Sequence, residues 1–163
     1  MKPLMELRIR DARGSDLEFI IRANSGLAVE SEGVTLDPAL LGPGVAAVFE
    51  DPARGRYFIA ESGDRPVGQM MLTFEWSDWR NGVFWWIQSV FVEPSHRRKG
   101  VFSKLYRHVS ELAAASPEVC GLRLYVDRSN SNARSIYRHL GLYESNYEVM
   151  EIVFRGPESH SEP

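Results

Sequence analysis

Apolar and polar positions change period several times along the chain, and each change marks an element. Leu7-Arg8-Ile9-Arg10 alternates with period two and predicts a first strand. Ser15 or Asp16 is placed to cap a helix that carries Leu17, Ile20, Ile21 and Leu27 on roughly one face, with Gly26 weakening its end. A polar stretch from Glu30 to Asp37 leads to a second helical segment, Pro38 to Phe49. Gly42, Pro43 and Gly44 interrupt it, leaving room for two short pieces. Tyr57–Glu61 and Val67–Phe74 read as strands of a hairpin, joined by the turn residues Ser62 to Arg65. Trp76–Gly82 reads as a loop and Val83–Val92 as a long apolar strand, which Pro94 ends because proline cannot donate to a sheet. Val101, Leu105, Val109 and Leu112 recur at helical spacing, so a helix opens at Gly100 and runs to Ala115. Leu122–Val126 predicts a short strand, Asn130–Leu140 a helix ended by Gly141, and Tyr143–Phe154 a closing strand.

That order predicts a mixed α/β domain over residues 1–155, with helices packed on both faces of one sheet, and a polar tail at 156–163. With 163 residues the chain can bury an ordinary core, and no internal repeat divides it. No apolar run approaches the ~18 residues of a membrane span, and the first residues lack a secretory signal's apolar stretch. Cys120, the single cysteine, cannot form an internal disulfide, which fits a cytoplasmic location; ahead of an apolar strand it reads as a buried small hydrophobe. His96, His108, His139 and His160 lack metal-ligand spacing, so no metal is expected.

The net charge of −3 argues against general attraction to nucleic acid. Its distribution says more. Five of the 19 basic residues (Arg97, Arg98, Lys99, Lys104 and Arg107) and only one of the 22 acids fall between Glu93 and Arg107. There an apolar strand, a short turn and a glycine-led helix follow one another. A helix start offers unpaired N–H groups and the positive end of its dipole, a setting for phosphate. Gly100 admits a ligand close to the backbone. Neither the nucleoside-triphosphate loop spacing nor the dinucleotide fingerprint is present.

Val92-Glu93-Pro94 followed by Arg97-Arg98-Lys99-Gly100-Val101-Phe102 resembles the coenzyme motif of the GNAT superfamily of acyl-CoA N-acyltransferases, Gln/Arg-x-x-Gly-x-Gly/Ala, with Phe102 at the usual small position. About 30 residues on, Asn130, Ala133, Tyr137 and Gly141 match a second family pattern, with Leu142 in place of phenylalanine. The resemblance implies a mostly antiparallel sheet of about six or seven strands flanked by about four helices. It implies direct transfer of an acetyl group from acetyl-CoA to the primary amine of a small molecule or peptide. The coenzyme would touch Val90, Phe91, Val92, Arg97, Arg98, Lys99, Gly100, Val101, Phe102, Ser103, Asn130 and Tyr137. Within that set the backbone of 90–92 would pair with the pantetheine arm like an added strand.

Such chemistry needs a proton acceptor, because only about 0.1% of an alkyl amine is unprotonated at pH 7. It also needs an acid for the departing thiolate. Tyr137 is the candidate acid, or else an aromatic packed under the sheet; Asn130 caps the last helix, contacts the coenzyme, or both. Where many relatives carry a glutamate before the Val-x-Pro turn, this chain has Gln88 and Ser89. The base then falls to Glu30, Glu32, Glu75 or Asp78, or to water held by Gln88 and Ser89. Glu30, Glu32, Trp76 and Asp78, read as loop residues, would form an acidic, aromatic cleft for a cationic acceptor. One of Trp85 and Trp86 would be core and the other would line the cleft or a subunit contact. The exposed edge of the final strand could support a homodimer. Two other readings stay open: a non-catalytic coenzyme A-binding regulatory module, and a nucleotide-binding protein using the same anion site.

Overall fold

The computed structural model describes residues 6–155, which form two units, 6–124 and 125–155. The expected tail at 156–163 lies outside the described residues. In the larger unit, β1 (Leu7–Asp11) is followed by α1 (Leu17–Glu32), α2 (Pro38–Glu50), β2 (Arg56–Ser62), β3 (Arg65–Ser77), β4 (Gly82–Val92), α3 (Val101–Ala115) and β5 (Val119–Leu124). The five strands form one sheet in chain order. β1 to β4 are antiparallel neighbours, and α3 crosses over to bring β5 parallel to β4. Among the described residues five strands and four helices make the mixed, mostly antiparallel fold, with fewer strands than the six or seven expected.

Alternation along the strands divides the core between two layers. Phe58, Met70, Leu72, Trp85 and Ile87 meet Val101, Leu105 and Val109 of α3 on one face. Tyr57, Ile59 and Phe91 meet Phe19, Ile20 and Ala23 of α1, with Val45 of α2, on the other.

Several local expectations are corrected. Gly26 does not end α1; the helix runs on to Gly33, whose φ of +66° stops it, so Glu30 and Glu32 are helical rather than loop residues. α2 is one helix despite Pro43, because Asp37 caps it (2.9 Å to the Ala39 amide) and Val45 is buried against the sheet. Packing outweighs the lost proline hydrogen bond there. β3 extends through Glu75 and Trp76 to Ser77, since Trp76 pairs with Val83 and Ser77 with Gly82. β5 starts earlier than predicted, in register with Val83 of β4, and its Cys120 is exposed rather than buried.

The smaller unit holds α4 (Ser131–His139), capped by Asn130, which accepts from the Ala133 amide at 3.0 Å. Tyr143–Phe154 is not a strand. A strand requires a partner edge, and this unit contains none. Instead, Arg128 holds Glu148 at 2.6 Å, and Arg138 and Arg134 both bond Glu144. Hydrogen bonding to Arg138 first, then to its own backbone, pulls the Glu144 pKa down to about 2. The edge on which the dimer expectation rested is therefore absent among the described residues.

β1, β2 and the start of α1 are joined by one half-buried guanidinium. Arg10 bonds Asp16 at 2.7 and 2.9 Å and Glu61 at 2.6 Å. Burial works to raise the Asp16 pKa, but hydrogen bonds from Arg10 and the Arg13 amide override it and hold the carboxyl below its usual range. The stabilisation is thus present above the ordinary Asp pKa and lost as pH falls through the lowered folded value. Asp16→Asn should cost about 3 kcal/mol at pH 7. Denaturant unfolding at pH 7 and pH 3 should show the gap to wild type narrowing in acid.

Candidate active site

β4 carries one residue too many for its partner. Gln69 pairs with Phe91 and Met71 with Gln88, so two residues of β3 span three of β4. The surplus is absorbed at Ser89, held at φ +48°, where a non-glycine residue stores about 1–3 kcal/mol of strain. Its consequence is geometric. Pairing of β4 with β5 ends at Ile87 opposite Leu124, while β4 runs on to Val92 paired only with β3 among the described residues. The backbone of 88–92 thus presents an edge that no strand of the described residues covers. Val90 and Val92 lean toward the α3 layer and Phe91 is buried against α1. Gln88, on the α1 side, donates through Nε2 to Thr73 Oγ1, which leaves its carbonyl oxygen as the acceptor.

Beyond β4 the chain turns through Pro94–His96 and enters α3 at Gly100, whose φ is +80°. No side chain caps this helix, and its first internal bond is from Lys104 to the Gly100 carbonyl at 3.0 Å. Amides ahead of that bond lack helical acceptors. Nothing lies within 4 Å of where a Gly100 Cβ would stand. The Phe102 ring leans on Tyr106, 6.1 Å between centroids, while Val101 is buried and Ser103 exposed. α3 sits close to the sheet because Gly68 has no side chain: a Cβ there would stand 2.9 Å from Val101 Cγ1 and 3.1 Å from the Phe91 carbonyl.

The local cations are less available than their count suggests. Arg97 bonds Glu30 at 2.7 Å and the Val92 carbonyl at 3.0 Å, tying the last turn of α1 to this loop. Lys99 donates to the Ser95 carbonyl and Lys104 to the Leu7 carbonyl. Arg98, at φ +59°, is exposed.

The four residues expected to form an acceptor cleft are not brought together. Glu30 lies by Arg97, level with the Val92 end of β4, whereas Trp76 pairs with Val83 at the other end. Gly68, opposite Val92, and Trp76 are separated by about 26 Å of strand, taking ~3.3 Å per residue. Glu32 is exposed at the end of α1, and Asp78 accepts from the Trp79 amide in the hairpin turn. Trp76 itself is 61% exposed. Glu75 is engaged: Arg123 bonds both its oxygens at 3.0 and 3.1 Å, and Trp86 Nε1 also donates to it. Arg123 in turn lies 3.6 Å over the Phe84 ring. Trp85 is the core tryptophan of the pair.

Comparison with known proteins decides the family. The model of the acetyltransferase (GNAT) family matches residues 28–142. A crystal structure of a possible acetyltransferase from Clostridium difficile 630 is 42% identical, with a TM-score of 0.86 over 91% of this chain and 98% of that one. The chain belongs to the GNAT acetyltransferase family. Two more distant structures share the fold. A GCN5-related N-acetyltransferase from Ralstonia eutropha JMP134 has 18% identity and a TM-score of 0.72, over 90% of this chain and 99% of that one. A transcriptional regulator from Bacillus halodurans C-125 has 20% identity and a TM-score of 0.76, over 91% and 100%. No curated protein matches the chain.

Within this GNAT chain the second motif lies on α4. Asn130 is its cap, and Tyr137 is half-buried, with burial pushing its phenol pKa up. Sequence reasoning missed the residues behind the bulge: Gln69, Asn24 and Tyr57. The available signals were a glutamine between Gly68 and Met70 in an apolar strand, and an asparagine beside Ala23 on the buried side of α1. Gly68 was equally unflagged. Gly68→Val should displace the first turn of α3 and cost about 1–3 kcal/mol. Thermal unfolding together with coenzyme A titration should show both effects.

Proposed function

We propose that the protein transfers an acetyl group from acetyl-CoA directly to a primary amine. The observation that carries this is the β4 edge at 88–92, which no strand of the described residues covers and which runs into a helix start at Gly100 that no side chain caps. An extended amide-bearing arm fits the first and a diphosphate the second. Acetyl-CoA supplies the activated thioester; the chain's part is to hold it and manage protons. The Gly100–Ser103 backbone holds the diphosphate, with Arg98 as its most available cation. Strand pairing along 90–92 fixes the arm. The acceptor ammonium loses its proton to solvent water, and the Gln88 carbonyl orients the free amine. Tyr137 is assigned as the acid for the thiolate by its place in the motif; its raised pKa keeps the phenol proton at neutral pH. Asn130 serves as the helix cap and a coenzyme contact. Glu30 and Glu75 are tied to Arg97 and Arg123, so charge alone does not define the acceptor. A single cysteine fits the reducing cytoplasm.

One observation favours a second reading, a coenzyme-binding module without turnover: Gln88 is not a base, and the nearby carboxylate Glu75 is engaged. Thiol release from acetyl-CoA across a panel of primary amines separates them. Amine-dependent turnover supports transfer; tight coenzyme binding with none supports the module.

Gly100→Glu introduces a side chain at positive φ and an anion where the diphosphate lies, and should weaken acetyl-CoA binding at least about tenfold. Calorimetry reads it directly, and unchanged affinity removes the site. Tyr137→Phe should lower kcat by roughly 100-fold with little change in coenzyme affinity. Equal turnover would remove its acid role.

A further inference from the structure

A chain of hydrogen-bonded polar side chains sits behind the bulge, where the surroundings are apolar. Gln69, fully buried on β3, donates through Nε2 to Asn24 Oδ1 of α1 at 2.7 Å and to the Ser89 carbonyl at 3.1 Å. Asn24 Nδ2 donates to the Tyr57 hydroxyl of β2 at 3.3 Å. The chain of bonds therefore links α1, β2, β3 and β4. Phe91, Ile20, Ala23 and Ile59 pack in the same layer.

Two features set this chain of bonds apart from an ordinary buried network. The Gln69 Oε1 atom is buried with no hydrogen-bond partner, a cost that a leucine at this position would avoid. Also, the carbonyl that Gln69 holds belongs to Ser89, the left-handed residue that takes up the extra length of β4. A strained backbone persists only where its surroundings over-determine it. Here those surroundings are the carboxamide of Gln69, itself anchored by Asn24, which Tyr57 holds in turn.

We propose that Gln69 and Asn24 are positioning residues for acyl transfer: through Ser89 they hold the β4 bulge in the one conformation that aims the 90–92 backbone at the thioester. This rests on the acyl-transfer reading above. Neither residue touches the coenzyme; they act by fixing the strand that does. Losing Gln69 releases Ser89, and β4 relaxes toward regular pairing. The diphosphate site at Gly100, at the start of α3, is left intact.

Gln69→Leu tests this, since it keeps the volume, removes both donors and removes the orphaned oxygen. The expected result is a kcat lowered roughly 10- to 100-fold, because small misplacement of reacting groups costs that much. Coenzyme A affinity by calorimetry should stay within about threefold, and the melting temperature should fall only modestly, because the loss of the orphaned oxygen offsets part of the cost of leaving Asn24 Oδ1 and the Ser89 carbonyl unpaired. Amide hydrogen exchange at residues 88–91 should accelerate selectively. Unchanged exchange there overturns the proposal whether or not the protein proves to be an acyltransferase. Accelerated exchange with undiminished kcat overturns the positioning role alone. Should Gln69→Leu not fold, Asn24→Ala, at a half-buried helix position, is read by the same three measurements. Wild-type protein that turns over no amine would count against the proposed function while the exchange result still judged the lock.

Discussion

β4 has to pair with β3 along its whole length and with β5 along only half of it. A bulge favours that arrangement, because an extra residue bends the strand and increases its local twist. The extra residue lies at Ser89. Upstream of it, Val83–Ile87 pair with both β3 and β5; downstream, 88–92 pair only with β3 among the described residues. The bulge also shifts the side-chain alternation by one, so that Val90 and Val92 serve the α3 layer and Phe91 the α1 layer. One left-handed residue thereby produces both an open edge and a filled core.

The helix that receives the chain after β4 is arranged around a second close approach. With Gly68 beneath Val101, the first turn of α3 rests directly on β3, and Gly100 at positive φ turns the chain into the helix without a capping side chain. α2 and α4 are capped, by Asp37 and Asn130. Among these three helices α3 alone keeps its leading amides without a capping side chain. The proposed diphosphate site rests on this contrast rather than on the number of nearby cations.

Charge is used more locally than the sequence implies. Of the residues read as a basic patch and an acidic cleft, Arg97 and Glu30 are paired with each other, and the candidate base Glu75 is paired with Arg123. The pairs join elements: α1 to the loop ahead of α3, and β3 to β5. These charges fasten elements together.

The sequence by itself determined the elements and the family. Period-two and helical repeats located β1, β2, β4, α1 and α3 to within a few residues, because those patterns reflect which side faces a core. The motif around Arg97–Gly100 and the Asn130–Tyr137–Gly141 spacing identified the acetyltransferase relationship. Only tertiary structure decided the continuity of α2 through Pro43 and the reach of β3 to Ser77. It likewise decided the lack of a strand at Tyr143–Phe154 in a unit without a partner edge. The same holds for the bulge, the hydrogen bonds that join Tyr57, Asn24, Gln69 and the Ser89 carbonyl, and the separation of Glu30 from Trp76. These depend on registers and contacts between residues up to 67 positions apart, such as Glu30 with Arg97. Local pattern carries no record of which distant partner a side chain will meet.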